Sequence, residues 1–179
     1  MVTIPLFVIV PFTGIVDLSQ SPTVTNLNNV VMESTVITKQ EDDIDKKRAE
    51  IIDSYFESKN APLAGYGKKF VEEANEHDID WRLLPAIAMR ESTGGRHSCK
   101  KVSNSVFGYG SCKFGFKSID ESIEIVSRSI GGNNPKTSRY YKDKNTEAIL
   151  KTYNPDSIIP GYSKQVIKIM KSISPEEVE

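Results

Sequence analysis

The segment that most limits what this chain can become is residues 80–95, DWRLLPAIAMRESTGG. Leu84, Ile87 and Ala88 recur at i, i+3 and i+4, the spacing of one helical face. Glu91 follows at i+7 from Leu84, so a carboxylate stands on the stripe that should face the core. Asp80 suits an N-cap, and Gly94 and Gly95 suit a stop. Pro85 fits only if the helix starts late or its first turn gives up a hydrogen bond. Desolvation and the negative end of the helix dipole would both disfavour a charged side chain at position 91. A carboxyl group that holds its proton near neutral pH is what a general acid needs. The competing reading is an apolar stripe that runs out at Glu91, leaving it to pair with Arg90, Arg96 or a lysine at the surface.

The remaining pattern is helical almost throughout. Ile44, Ile51, Ile52, Tyr55 and Phe56 lie near one face of a first helix, with Lys46, Lys47, Arg48 and Glu50 opposite. Residues 60–67, NAPLAGYG, break it. A second helix over 66–77 turns Phe70, Val71 and Ala74 inward. Ser118 and Glu121 form a capping box that opens a helix through Ile119, Ile123, Val126 and Ile130. Asn145 caps a short helix ending at Tyr153, and a last helix over 162–173 buries Val166, Ile169, Met170 and Ile173. No alternating run is long enough for a substantial strand. The expected class is all-α, with at most a small β-hairpin in the glycine-rich loop.

Two stretches fall outside that pattern. Residues 1–16, MVTIPLFVIVPFTGIV, hold no charge and two prolines. They look most like the apolar part of a signal peptide or a short N-terminal anchor, although the positively charged n-region is missing; the alternative is a buried or disordered N-terminal strand. Residues 17–43 are polar and read as a linker. The organisation expected is then a preceding helix at 44–63, one domain at 64–173 and a tail at 174–179.

With a formal net charge of −1, nothing pulls the whole chain toward nucleic acid, and a monomer is expected. Both cysteines, Cys99 and Cys112, lie in the loop after the Glu91 helix. In an exported protein a disulfide between them would close a loop of roughly 14 residues, worth about 3 kcal/mol in the chain-entropy model. In the cytosol they would be free thiols. His77 and His97 lack the ligand spacing of a metal site, so neither metal nor cofactor is expected. In the same loop Gly108 and Gly110 permit close backbone approach, while Phe107 and Tyr109 offer flat apolar faces suited to sugar rings. Phe107 could equally plug the core.

Taken in order, these motifs resemble a known superfamily. Glu91 and Ser92 end a helix reading LPAIAMR. Gly94 and Gly95 follow, then Asn104, Phe107 and Gly108, then Phe116, Ser118, Glu121, Ser122 and Ile123. This is similar to the lysozyme-like superfamily over about residues 64–173, most of all to the endo-β-N-acetylglucosaminidase-like domain of bacterial cell-wall hydrolases. The AIAMRES helix and Thr152, Tyr153 and Asn154 also resemble soluble lytic transglycosylases. The resemblance implies a two-lobed helical fold with a glycan cleft and peptidoglycan as partner. It implies Glu91 as general acid and Ser92 as a neighbour bonding around the acid or the helix end. Asn104, Phe107 and Gly108 would line the cleft, and Tyr153 would lie near Glu91. Export to the cell envelope is expected from the apolar segment at residues 1–16. Glycosidases usually pair two carboxylates. Here Asp120, Asp143 and Asp156 are possible second members, none with a spacing argument. Glu121 is explained by its capping role.

Overall fold

The computed structural model describes the backbone over residues 25–175 and side chains over residues 38–175. The expected signal or anchor at 1–16 lies outside the described residues. Contacts divide the chain into two units, Met1–Ile37 and Thr38–Glu179.

Eight helices make up the described chain, and no strand occurs among the described residues, so the class is all-α without the small hairpin. They are α1 (Thr25–Ser58), α2 (Gly67–Glu76), α3 (Leu83–Ser92), α4 (Tyr109–Cys112), α5 (Ile119–Ile130), α6 (Ser138–Tyr141), α7 (Thr146–Tyr153) and α8 (Tyr162–Ile173). Helix α1 starts at Thr25, inside the stretch expected to be a linker. No Gly or Pro interrupts residues 25–58, so nothing local stops the helix there.

Helix α3 is the axis of the fold. Leu83, Leu84, Pro85, Ala86, Ile87 and Ala88 are all buried, and α3 packs chiefly on α8. It begins at Leu83, later than an Asp80 cap would require. Asp80 instead accepts from the backbone and guanidinium nitrogens of Arg82 (2.9 Å each) and does not cap the helix. The late start puts Pro85 in the first turn, where the missing N–H has no intrahelical acceptor to lose. At the other end Thr93 takes the left-handed conformation (φ 54°), and the N–H of Gly94 donates to Ala88 O at 3.2 Å, so the helix closes one residue before the glycines.

The other elements follow their sequence signals closely. Ser118 Oγ accepts from Glu121 N (3.0 Å), and the Glu121 carboxylate reaches back to Lys117 N (2.5 Å). Asn145 Oδ1 accepts from Ala148 N at 2.9 Å. Asp53 on α1 accepts from both Gly65 N and Gly67 N (2.8 Å each), fixing the turn into α2. Between α2 and α5, buried Glu73 accepts from Lys69 Nζ (2.7 Å) and Ser127 Oγ (3.0 Å), with His77 Nε2 at 3.4 Å. A carboxylate with that many partners can be taken out of water.

Phe56, Phe70 and Phe107 form an aromatic spine through one core, with ring centroids 5.9 and 6.4 Å apart along it. Because α3 is enclosed on nearly every side, Ile87→Ala should destabilise the fold by about 2–5 kcal/mol through lost burial and the cavity left behind. Chemical denaturation checks it. A loss under about 1 kcal/mol would mean that α3 is not the centre of the core.

Candidate active site

Glu91 sits in the last turn of α3, half-buried, where the apolar stripe meets a cavity. Tyr162 Oη donates to Glu91 Oε1 at 2.7 Å. Tyr162 opens α8 and is itself fully buried, so this bond ties the two helices that pack most closely. The surface pairing that competes with this arrangement is not formed: Arg90 donates to Gln165 (2.8 Å) and Arg96 to the carbonyls of Lys59 and Asn60. The other carboxylate oxygen, Oε2, faces Gly108. A Cβ built on Gly108 would lie 3.0 Å from it, and Gly108 has φ +63°, so both space and backbone favour glycine there.

The cavity holds about 550 Å³ and is lined by Glu91, Gly108, Tyr109, Gly110, Ser111, Cys112, Tyr141, Tyr153, Asn154 and Ile158. Glu91 is the one carboxylate among them; Asp120, Asp143 and Asp156 do not line it. The wall opposite Glu91 is a turn of unusual hand. Gly108, Gly110, Ser111 and Cys112 all have φ between 58° and 63°. Two of these are not glycine, and left-handed backbone costs an ordinary residue about 1–2 kcal/mol. A disulfide joins Cys112 to Cys99, with Cα atoms 5.7 Å apart, and pins this turn to the loop that follows α3.

The tyrosines make the other wall. Tyr153 Oη donates to Phe107 O (2.6 Å), and its ring stacks on Tyr162 with centroids 6.3 Å apart. Tyr109 Oη donates to Ser129 Oγ at 3.1 Å, which anchors the glycine-rich loop to α5. Burial pushes Tyr141 up to about 12. It also raises Tyr153 and Tyr162, helped in both by the Glu91 carboxylate, which opposes a second negative charge beside it. Tyr162 is therefore a standing donor to Glu91 across the neutral range.

Of the residues singled out in the sequence, Glu91, Gly108, Tyr109, Gly110, Cys112, Tyr153 and Asn154 meet at this cavity. Ser92 is buried away from it: its hydroxyl donates to Ala88 O (3.0 Å) and accepts from Gly95 N (2.8 Å), closing the helix end. Phe107 is fully buried in the core and presents only its carbonyl toward Tyr153. Asn104 donates to Phe116 O (2.9 Å), bracing the loop from behind. Tyr162, Tyr141 and Ile158 are site residues that no motif marked. Tyr162 does fall on the inward stripe of α8, four residues before Val166, and this was the one available signal.

No protein-family model and no curated protein matches the chain. Among the described residues no group of three or more His, Cys, Asp or Glu is placed to hold a metal ion. The site defines a class by chemistry alone: one carboxyl group, oriented by a tyrosine, at a polar cavity walled by aromatic rings.

Two predictions follow from these contacts. Replacing both cysteines by Ser should cost about 3 kcal/mol and lower the melting temperature by several degrees, since a loop of this length is released in the unfolded chain; an unchanged melting temperature would refute the disulfide's role. The raised tyrosines ionise freely only after unfolding. Stability should hold below pH 10, where unfolded tyrosine begins to titrate, and fall as pH rises toward about 12. Tyrosinate absorbance should accordingly rise in two stages, the second coinciding with loss of helix; a single normal titration of all seven tyrosines would contradict it.

Proposed function

We propose that the chain is a peptidoglycan-cleaving glycosidase on a lysozyme-like, two-lobed helical fold, an endo-β-N-acetylglucosaminidase acting on β-1,4 bonds with Glu91 as general acid. The observation that supports this most is the Glu91 carboxyl group, fixed at one oxygen by Tyr162 and free at the other toward a cavity large enough for sugar rings. Tyrosine faces and the backbone of a glycine-rich turn suit the apolar faces and hydroxyls of a glycan.

In this reading Glu91 Oε2 gives its proton to the glycosidic oxygen as the bond to the anomeric carbon breaks. Tyr162 keeps the carboxyl plane aimed at that oxygen and stabilises the carboxylate left behind. The positive charge that develops on the sugar must then be met by a nucleophile. With Glu91 the only carboxylate on the cavity wall, the substrate's own 2-acetamido oxygen is the nearest candidate, attacking the anomeric carbon to form a cyclic intermediate. Water opens that intermediate, its proton returns to Glu91, and N-acetylglucosamine remains as the reducing end.

The lone carboxylate also favours a second reading. If the 6-hydroxyl of N-acetylmuramic acid attacks instead, its proton passes to Glu91 and an anhydro product forms, as in a lytic transglycosylase. Export to the cell envelope accords with the Cys99–Cys112 disulfide. Among the described residues no helix is long and apolar enough to cross a membrane, so any anchor would lie outside them.

Mass spectrometry of products from purified peptidoglycan tests the proposal. Reducing-end N-acetylglucosamine is expected, lost by about 10²–10⁴-fold in Glu91→Gln, the usual worth of a positioned general acid. Tyr162→Phe should retain the fold and lose about 10-fold in kcat, one hydrogen bond's share. Anhydro-muramic ends would select the transglycosylase. Full activity in Glu91→Gln would sink Glu91 as the general acid, and no products with binding intact would leave a glycan-binding module.

A further inference from the structure

The chain is nearly neutral as a whole, yet its charge is segregated. Residues 92–144 hold ten Lys and Arg against four Asp and Glu, while residues 38–57 of α1 hold seven Asp and Glu against four Lys and Arg. The basic stretch supplies six of the ten residues that line the Glu91 cavity.

That cavity does not end at Tyr109. A second cavity of about 380 Å³ shares Tyr109, Gly110 and Tyr141 with it and adds Phe114 and Tyr140. A third, of about 660 Å³, shares Tyr109, Phe114 and Thr137 with the second and adds Lys117, Ile125 and Lys136. Linked through these shared residues, the three are a run of adjoining cavities, the groove. The large apolar side chains exposed among the described residues are Phe114 at 58%, Tyr140 at 46% and Ile158 at 71%, and each of them lies on this groove. Exposed apolar surface rimmed by charge marks a place where something binds.

The far end of the groove is preorganised. One edge of the Phe114 ring packs against Gly110, where a Cβ would run into it. Arg139 stacks on Tyr140 at 4.5 Å from the ring centroid. Lys117 has a side chain 92% exposed and only a loose 3.9 Å approach to Glu121, whose carboxylate is already held by the Lys117 N–H. Lys136 stands on the same wall as Phe114. Glu121 lines this cavity too, so two ammonium groups stand against one carboxylate beside an exposed ring and an isoleucine, a balance that suits a ligand both anionic and apolar.

We propose that Phe114, Lys117 and Lys136 form a specificity site for the carboxylate-bearing peptide branch of the glycan strand whose sugars occupy the Glu91 cavity. This rests on the glycan reading of that cavity. A wall glycan bears its peptide on the lactyl ether of every second sugar, so an anionic branch leaves the strand close to any bond being cut. Methyl side chains on such a peptide meet Phe114 and Ile125, and its carboxylates meet the lysines. A polyol phosphate would use the lysines but leave the apolar wall unmatched.

Calorimetry with the full chain carrying Glu91→Gln, which stops turnover, tests the site. The probes are chitotetraose, a peptide-bearing tetrasaccharide of the wall strand, and the same tetrasaccharide stripped of peptide by an amidase. Peptide should tighten binding by about 10-fold at low salt, an increment that 0.5 M salt screens out. The double variant Lys117→Ala, Lys136→Ala should abolish the increment, and Phe114→Ala should reduce it, while chitotetraose binding stays the same in all three backgrounds. Equal affinity for the stripped and peptide-bearing strands, or an increment that survives loss of both lysines, overturns the specificity site and leaves the glycan cavity standing. Failure of every oligosaccharide to bind overturns the cavity reading as well. Tighter binding of a strand bearing polyol phosphate than of the peptide-bearing strand overturns the assignment to a peptide branch.

Discussion

The hydrogen bond from Tyr162 to Glu91 is where the fold and the site become one object. It joins the last turn of α3 to the first turn of α8, and these two helices pack against each other more closely than any other pair. Glu91 is placed by six buried residues before it, from Leu83 to Ala88, that cannot rotate without exposing the core. Tyr162 is placed in the same way by Val166, Met170 and Ile173. A shift of either helix would break a bond between two groups that are costly to leave unpaired away from bulk water. The carboxyl orientation is thus inherited from core packing, which holds a side chain more tightly than a loop does.

The opposite wall is built on different physics. There the chain uses a left-handed turn, with Ser111 and Cys112 in a conformation that neither residue prefers. Such a turn would relax if only its own dihedrals decided. It is held at Cys112 by the disulfide and at Tyr109 by the bond to Ser129 on α5. The strain and the covalent tie are of similar size, about 2–4 kcal/mol against about 3 kcal/mol. A rigid helical wall thus faces a wall that depends on its crosslink.

How much of this was legible in the sequence depended on how local each cause was. The helices at α2, α3, α5, α7 and α8 follow from apolar periodicity and from Ser118, Glu121 and Asn145, whose caps form as their side-chain chemistry dictates. The start of α3 was misplaced because Asp80 has two competing uses, and its bidentate pairing with Arg82 wins over capping. Glu91 stands out as a carboxylate on an apolar stripe, and the ordered motifs around it, more than the stripe, mark it as a candidate acid. Tyr162 is not marked, because its partner is 71 residues away and nothing in α8 alone distinguishes a tyrosine that packs from one that donates. Ser92 and Asn104 sat in recognisable motifs, yet their hydroxyl and amide satisfy the backbone around the loop. A motif records that a residue is needed, and both structural and chemical needs leave the same mark.

Charge shows the same limit from the other side. A net value of −1 hides the contrast between α1 and residues 92–144, because opposite blocks cancel in the sum. What a ligand meets is the local field near the groove, within about 10 Å at moderate salt, where Lys117 and Lys136 stand against Glu121 and Glu91. Phe114 adds a condition that charge alone does not impose. An exposed aromatic ring loses free energy to water unless something covers it, and this one is covered only along the edge that packs on Gly110. A basic surface by itself would be sticky toward any anion. In the proposed site, a basic surface beside an exposed apolar ring would select anions that bring hydrocarbon with them, which would set a peptide branch apart from a bare phosphate.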